Sequence, residues 1–319
     1  MKRIATYLMT LLTYCCSNAQ GPLLDQWFLN NYLINPAITG IEQYADVQFG
    51  YRNQWTGVDG APESYVISAH TPLNNPRPNK GFTPTPDPPV PNLYSYRNFK
   101  YKPHHGVGGS VYFDRIGPFT NTALSGSYAY HLALSKNIYL SAGIGAGLLR
   151  QSLDMEKVST SVQSDPAVLQ FTPQTSVTLR PGIWLHTRHS YFGASLTERI
   201  NATEARTATL TAGHRFESQI ADVHLTPYAI FRANRLQHNY DMGLKVDWKR
   251  MVFMGATYRS THGVVLYLGA SVNYLMGFSY LYHAGNKGNS AYSATDTHEI
   301  QLNFRLQNKE QTPCPQQMW

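Results

Sequence analysis

The sequence is dominated by long segments in which apolar and polar side chains alternate at every second residue. In the segment 237–249, one face carries Tyr240, Met242, Leu244, Val246 and Trp248, and the other carries Asp241, Gly243, Lys245, Asp247 and Lys249. Successive side chains of a β-strand point to opposite faces, so this pattern predicts a strand with one apolar and one polar side. About fourteen segments share the period of two: 45–53, 62–71, 106–115, 120–133, 137–150, 174–187, 190–200, 206–217, 222–233, 237–249, 251–260, 262–272, 273–284 and 296–306.

Strand length and composition decide between a soluble β-sandwich and a membrane barrel. Strands of soluble proteins are usually about 5–6 residues long, whereas about 9–11 tilted residues cross a membrane. Charged residues make up 14% of the chain and aromatic residues 13%, and aromatic side chains recur near segment ends, where an interfacial girdle would lie. We therefore expect one domain over 45–306: an all-β, transmembrane, antiparallel β-barrel of about fourteen strands that crosses a bacterial outer membrane many times.

The first residues are typical of a secretory signal peptide. Lys2 and Arg3 precede an apolar run, and small residues up to Ala19 precede the expected cleavage site. A lipoprotein signal is the alternative, because Cys15 and Cys16 lie near the cut. Removal of residues 1–19 leaves Cys314 as the single cysteine and lowers the net charge from +7 to +5, since two basic residues are lost. The remaining basic residues are scattered, which argues against nucleic-acid binding.

Three segments outside the strands are expected in the periplasm. They are the N-terminal segment 20–44, the proline-rich loop 72–105 and the tail 307–319. Proline removes a ladder donor, so the loop is predicted to be extended rather than a strand. It is either an insertion without a role or a docking segment for a partner.

Four stretches of the chain resemble the PorP/SprF family of Bacteroidetes outer-membrane proteins, which belong to the type IX secretion system. They read QWFLNNYLINPAITG (26–40), YRNQWTGVDGAPESYVISAHTPL (51–73), GVGGSVYFDRIGPFTNTALSGSYAYHLALS (106–135) and THEIQLNFRL (297–306). The YRNQW…GAP…HTPL block and the D-x-I-G-P-F turn carry the likeness most specifically. The proline-rich stretch 74–103 departs from the family.

The resemblance implies a non-enzymatic role in protein export, or in the surface anchoring of secreted proteins or gliding adhesins. The implied partners are the lipid bilayer, the periplasmic ring and peptidoglycan-anchoring proteins of the same machine, and the C-terminal domain of a secreted adhesin. The family has a core secretion branch and an adhesin-specific branch, and the sequence leaves both open.

The hypothetical partner-binding residues lie at the two ends of the chain. We expect Trp27, Phe28 and Tyr32, together with Leu33, either to fold over the barrel rim or to form a plug-like turn inside its periplasmic mouth. In the tail, Cys314 and Trp319 belong either to a disordered end or to a short docking tag.

A second set of residues is expected to be structural, at the outer rim. Its members lie at the end of the first strand or in a hairpin turn: Arg52, Trp55, Gly60, Pro62, Asp114, Gly117 and Pro118.

Two alternatives to a secretion role remain open, namely a passive porin-like channel and an outer-membrane lipid hydrolase. The nearest approach to a hydrolytic set is Ser125, Ser127 and His131, which share the polar face of the fourth strand, but no G-x-S-x-G motif accompanies them. The twelve histidines include the neighbours His104 and His105, which would point to opposite faces of a strand. We therefore predict no catalytic, cofactor or metal site.

Overall fold

A computed structural model describes residues 29–73, 103–135, 137–155, 172–200, 206–218, 222–235, 237–249, 251–260, 263–283 and 296–308. In this part of the chain, consecutive strands pair antiparallel, and the last strand pairs with the first from Ala45↔Leu306 to Asn53↔His298. The sheet is therefore closed on itself. The predicted all-β barrel is confirmed.

Fifteen strand segments form the fourteen-stranded wall of the described barrel. Their bounds are β1 Ala45–Asn53, β2 Glu63–Pro72, β3 His104–Ile116, β4 Phe119–Ala133, β5 Tyr139–Leu153, β6 Gln174–His186, β7 Ser190–Ile200, β8 Arg206–His214, β9 Phe216–Glu217, β10 Val223–Asn234, β11 His238–Trp248, β12 Val252–Arg259, β13 Gly263–Ser271, β14 Met276–His283 and β15 Thr297–Leu306. Only Arg215 separates β8 from β9, and both pair with β10, so the two count as one strand.

The two ends of the barrel are distinguished by the N-terminal segment. We call the end at which β1 begins the plug end and the other the loop end. Tight connections at the plug end join β4 to β5 and β6 to β7. At the loop end, Gly117 and Pro118 join β3 to β4, with Ile116 paired to Phe119. Gly117 has φ +57°, as the first central position of a two-residue type II′ hairpin requires.

The two faces of the wall follow the predicted alternation. On β11, Tyr240, Met242 and Leu244 are exposed on the outside, whereas Asp241 and Lys245 are buried inside. The same division holds on β15, where Ile300 faces out and Glu299 faces in. Apolar groups thus cover the outer surface, and the inner surface is polar and charged. None of the helices among the described residues is long and apolar enough to span a membrane.

Residues 29–44, which we call the plug segment, lie inside the barrel and not over its rim. The segment contains two short 3-10 helices, Asn31–Leu33 and Pro36–Ile38. The second contacts β4, β5 and β6. Side chains along the segment are almost completely enclosed, with Ala37, Ile38 and Thr39 each 0% exposed.

Candidate functional site: the plugged lumen

Three histidines from neighbouring strands hold the backbone of the plug segment at Thr39 and Gly40. His131 of β4 donates from Nε2 to the Thr39 carbonyl oxygen (2.8 Å), and His104 of β3 donates to the Gly40 carbonyl oxygen (3.0 Å). The Gly40 N–H in turn donates to Nδ1 of His70 on β2 (3.1 Å). A buried backbone group needs such a partner. These side chains therefore provide the bonds that this irregular segment lacks in itself.

The plug segment also bonds through its own side chains. The Tyr32 hydroxyl lies 2.8 Å from the Ser127 hydroxyl, and Thr39 Oγ1 lies 2.9 Å from the same Ser127 oxygen. On the β2 side, the Asn30 amide donates to Ser68 Oγ (2.9 Å). The segment is thus attached to separate strands at points along its length.

Glycines in the wall allow the plug segment to approach the strands closely. A Cβ atom on Gly106 would lie 2.0 Å from the Thr39 carbonyl oxygen, and one on Gly143 would lie 2.5 Å from the Pro36 carbonyl oxygen. Both positions face the lumen and exclude any larger residue while the segment is in place. From the sequence alone these glycines are predictable only as strand residues, because the close approach appears only when the plug segment is in place.

Asn35 joins the plug segment to two strands at once. Its side-chain oxygen accepts from the Ala37 N–H (3.0 Å) and so caps the second 3-10 helix. Its side-chain nitrogen donates to the carbonyl oxygens of Ile183 on β6 (2.9 Å) and Ala194 on β7 (3.2 Å), which are cross-strand partners. One amide thus bridges the boundary between β6 and β7.

Neighbouring contacts strengthen the same attachment. Arg180 of β6 donates to the Leu33 carbonyl oxygen (3.0 Å), and Ser195 of β7 donates to the Ile34 carbonyl oxygen (2.9 Å). Three successive residues of the plug segment are therefore bonded to β6, to β7 or to both.

An apolar cluster lies beside this attachment, inside a lumen that is otherwise polar. Tyr32, Ala37, Ile38 and Ile41 of the plug segment pack in one cluster with wall side chains from three strands, namely Trp184, Tyr191 and Tyr228. The Trp184 and Tyr191 rings are stacked at 4.9 Å. Tyr228 is on β10, seven strands from β2 in the ring of fourteen, so the segment and its aromatic contacts reach across the lumen.

Glu42, Asp46 and His70 form a buried group in which one ligand atom from each lies within 4.8 Å of the others. The His70 ring faces Glu42 through Nδ1 (3.4 Å) and Asp46 through Nε2 (3.6 Å). Because Nδ1 accepts the Gly40 N–H, the ring proton lies on Nε2, and neither nitrogen offers a lone pair to a metal. The group does not fit a metal ion with the plug segment in place. Within this group, His70 joins the plug segment to β2 through the bond from the Gly40 N–H.

Buried ion pairs line the lumen away from the plug segment. Asp241 of β11, 0% exposed, accepts a hydrogen bond from Arg232 of β10, at 2.5 Å, and Arg259 of β12 lies 3.5 Å away. A carboxylate between two guanidinium groups cross-links three neighbouring strands on their inner face.

The predicted hydrolytic residues do not assemble into a catalytic set. Ser125 bonds to Ser110 (2.7 Å) and Arg180 (3.2 Å), and Ser127 bonds to the plug segment. The serine that contacts His131 is Ser141, whose hydroxyl donates to Nδ1 (2.6 Å). Both ring nitrogens of His131 are thus engaged in holding buried structure.

The predicted rim residues divide between the lumen and the loop end. Arg52 and Asp114 are buried, and Asp114 accepts a hydrogen bond from Ser64 (2.6 Å). Trp55 has a left-handed backbone with φ +59° and Gly60 has φ +73°, so both lie in the turn.

Two backbone bonds brace this turn. The Gln54 N–H bonds to the Pro62 carbonyl oxygen (3.0 Å) and the Gly117 N–H to the Gly60 carbonyl oxygen (3.1 Å). The latter bond links the two hairpins that the sequence motifs mark. A cavity of about 250 Å³ lies beside them, lined in part by Asp59, Glu63 and Arg115.

Several predicted sites lie outside the described residues. They are Trp27, Phe28, Cys314, Trp319, the signal peptide and residues 74–102 of the proline-rich loop. Of the N-terminal partner-binding set, the structure therefore locates Tyr32, whose side chain is buried in the lumen.

A closed barrel with an apolar outer surface and a charged inner surface defines a multi-pass outer-membrane protein. The family model for the type IX secretion system membrane protein PorP/SprF matches residues 16–304. The chain therefore belongs to this family. A comparison with curated proteins finds no match.

The chain is also similar to solved outer-membrane proteins, at low sequence identity. Omp33 of Acinetobacter baumannii is 13% identical, with a TM-score of 0.46 over 84% of this chain and 100% of its own. The deltaS2 mutant of the TodX monoaromatic hydrocarbon channel is 9% identical, with a TM-score of 0.48 over 86% and 92%. The outer membrane phospholipase A of Escherichia coli is 10% identical, with a TM-score of 0.41 over 85% and 98%.

Proposed function

We propose that the protein is a non-enzymatic, plugged barrel that supports export or surface anchoring of proteins by the type IX secretion system. The observation that carries this proposal is the plug segment: a family member whose lumen is crossed by its own N-terminal residues is built to be closed at rest. A passive porin would need a lumen open to water.

Orientation follows from the usual arrangement of outer-membrane barrels, in which the N-terminus lies in the periplasm. The plug end then faces the periplasm. We propose that periplasmic partners bind the residues before the plug segment, including Trp27 and Phe28, the loop 72–105, and the tail with Cys314 and Trp319. We propose that the ring and peptidoglycan-anchoring proteins of the machine contact this end, and that the C-terminal domain of a secreted adhesin is a further partner.

The experiment that tests the role combines a current measurement with a secretion assay. Purified protein in planar bilayers should carry no steady current. Cells that lack the protein should retain type IX substrates in the periplasm, and the wild-type gene should restore their release. Normal secretion in the deleted strain, or steady current from the wild-type protein, would contradict the proposal.

Contacts at the periplasmic end are tested from Cys314. A photo-activated crosslinker on this cysteine in intact cells should capture a periplasmic component of the secretion machine. A matched probe at Asp59, placed by Asp59→Cys in a Cys314→Ser background, lies at the loop end and should not capture it. Equal capture from both positions would count against a periplasmic docking role for the tail.

A further inference from the structure

At the boundary between β6 and β7, the strand ladder is interrupted and the plug segment bonds to both strands. Strand pairing runs from Val177↔Ile200 to Leu179↔Glu198 and resumes at Gly182↔Ser195, so Arg180 and Pro181 interrupt it. Proline has no N–H and cannot donate to a ladder. The two strands are therefore joined less completely here than along the rest of this boundary.

The plug segment supplies bonds beside this gap. Asn35 donates to the carbonyl oxygens of Ile183 and Ala194, one on each strand, immediately on the plug side of the interruption. A Cβ atom on Gly182 would lie 2.1 Å from the Asn35 side-chain oxygen. The amide therefore lies directly against the wall and spans the two strands.

The outer face of this boundary is apolar, and an aromatic cluster lies on its inner face just to the plug side of the gap, next to the inward-facing Arg180 and Ser195. On the outside, Leu179, Ile183, Leu185 and Phe192 are each at least 36% exposed and face lipid. On the inside, Trp184 and Tyr191 stack on each other in the aromatic cluster described above. A hydrocarbon chain that enters from the lipid side would meet these apolar outer side chains first and, beyond Gly182, the Trp184–Tyr191 pair, in contrast to the charged lumen near Asp241.

From these observations we infer that the β6–β7 boundary is a lateral portal, closed by Asn35, through which an acyl chain of the membrane reaches Trp184 and Tyr191 when the plug segment is released. The inference rests on the proposed function in one respect, that the plug segment closes the barrel at rest. The ligand class is an acyl chain because the portal opens to the bilayer and leads to the aromatic pair Trp184 and Tyr191.

A photo-reactive lipid tests the portal without any secretion machinery. The protein is reconstituted in vesicles of phosphatidylethanolamine and phosphatidylglycerol doped with a phospholipid that carries a diazirine in its acyl chain. After illumination, labelled peptides are mapped by mass spectrometry. Ile183 and Phe192 on the outer face report that the lipid reaches the protein, whereas Trp184 and Tyr191 report entry.

The variant Asn35→Ala removes both bonds across the boundary. Because each buried hydrogen bond shifts an equilibrium by roughly fivefold, we expect inner-face labelling to rise on the order of tenfold or more. The matched control is Asn30→Ala, which removes one plug-segment amide bonded to β2 and should leave labelling at the wild-type level. If Asn35→Ala does not give a folded, heat-modifiable barrel, Ser195→Ala takes its place, because it removes the neighbouring bond to Ile34.

A disulfide lock distinguishes the portal from entry through the barrel mouth. Thr178 and Arg199 are cross-strand partners on β6 and β7, and directly opposed residues lie within the usual Cα separation of a disulfide. Thr178→Cys and Arg199→Cys, combined with Asn35→Ala and Cys314→Ser, should abolish inner-face labelling when oxidised and restore it when reduced. Labelling that persists in the oxidised form, equal labelling in Asn30→Ala, or no rise in Asn35→Ala would each overturn the portal. None of these results bears on whether cells lacking the protein secrete.

Discussion

The hydroxyl of Tyr32 lies 2.8 Å from the hydroxyl of Ser127, ninety-five residues away in the chain. This contact places a residue of the N-terminal segment inside the barrel, and it also engages one of the serines that a hydrolase would have needed. This one hydrogen bond therefore helps to hold the plug segment in the lumen. It also occupies the Ser127 hydroxyl, which is then not free to act as a nucleophile.

We expect closure of the lumen to depend on the close approach of Pro36 in the plug segment to Gly143 on β5. In Gly143→Ala, the added methyl group would lie 2.5 Å from the Pro36 carbonyl oxygen, so we expect the plug segment to be displaced, at a cost of about 1–3 kcal/mol in stability. Single-channel recording should show openings that the wild type lacks. The control is Gly145→Ala on the same face of β5, whose methyl group meets Arg180 at an ordinary 3.5 Å. Matching currents from the two variants would argue against the idea that close packing of Pro36 on Gly143 keeps the lumen closed.

The bond from His131 to Thr39 should contribute to the stability of the whole barrel. His131→Ala leaves the buried Thr39 carbonyl without this donor, and we expect the free energy of unfolding to fall by about 1–3 kcal/mol. Urea unfolding in detergent, followed by tryptophan fluorescence, measures the change. His105→Ala serves as the comparison, because His105 bonds to Tyr128 at the exposed face (2.5 Å) and should cost little. If His131→Ala lowers the free energy of unfolding no more than His105→Ala does, the bond from His131 to Thr39 contributes little to stability.

Loss of the buried Asp241 carboxylate should lower the free energy of unfolding far more than loss of an exposed carboxylate. Asp241→Ala leaves Arg232 and Arg259 side by side on the inner wall without the carboxylate between them, and removal of one partner from a buried pair typically costs about 3–5 kcal/mol. Glu198 pairs with Arg206 at the exposed surface (2.8 Å), so Glu198→Ala should cost less than about 1 kcal/mol. Thermal unfolding of the two variants side by side tests the ranking. Equal melting temperatures would mean that water reaches Asp241 freely.

The proposed absence of enzymatic activity has a direct assay. Phospholipid vesicles incubated with the purified protein should release no fatty acid above the level of Ser125→Ala, because Ser125 bonds to Ser110 and Arg180 and not to a histidine. Ser141→Ala is the second comparison, since Ser141 is the hydroxyl that contacts His131. Turnover by the wild type that disappears in either variant would reopen the hydrolase alternative.

The barrel wall was predictable because alternation is a local property. Tyr240 is exposed and Asp241 is buried because neighbouring strand residues point to opposite faces. A window of about a dozen residues is enough to predict which residues face out. Bounds shifted by a few residues, as in the predicted segment 106–115, which became His104–Ile116. Arg215 divides the predicted segment 206–217 into β8 and β9, an irregularity without a local signal.

The plug segment could be predicted only as one of two alternatives. Its residues have no period of two or of 3.6, and the bonds that hold it come from His70, His104 and His131, which are 30 to 92 residues away from their partners. The local sequence around Asn35 gives no sign that this residue bonds to two strands. Its place between Ile183 and Ala194 follows from the closure of the barrel, which no short window of sequence contains.

The glycines that face the plug segment are constrained by residues that are far from them in the sequence. Gly106, Gly143 and Gly182 have room for a hydrogen atom and nothing larger so long as Thr39, Pro36 and Asn35 occupy the lumen. In evolution, a chain that lost the N-terminal segment would be released from this constraint and could acquire side chains at all three positions. In a set of related sequences, we expect glycine at these three positions wherever the plug segment is present, and larger residues where it is absent.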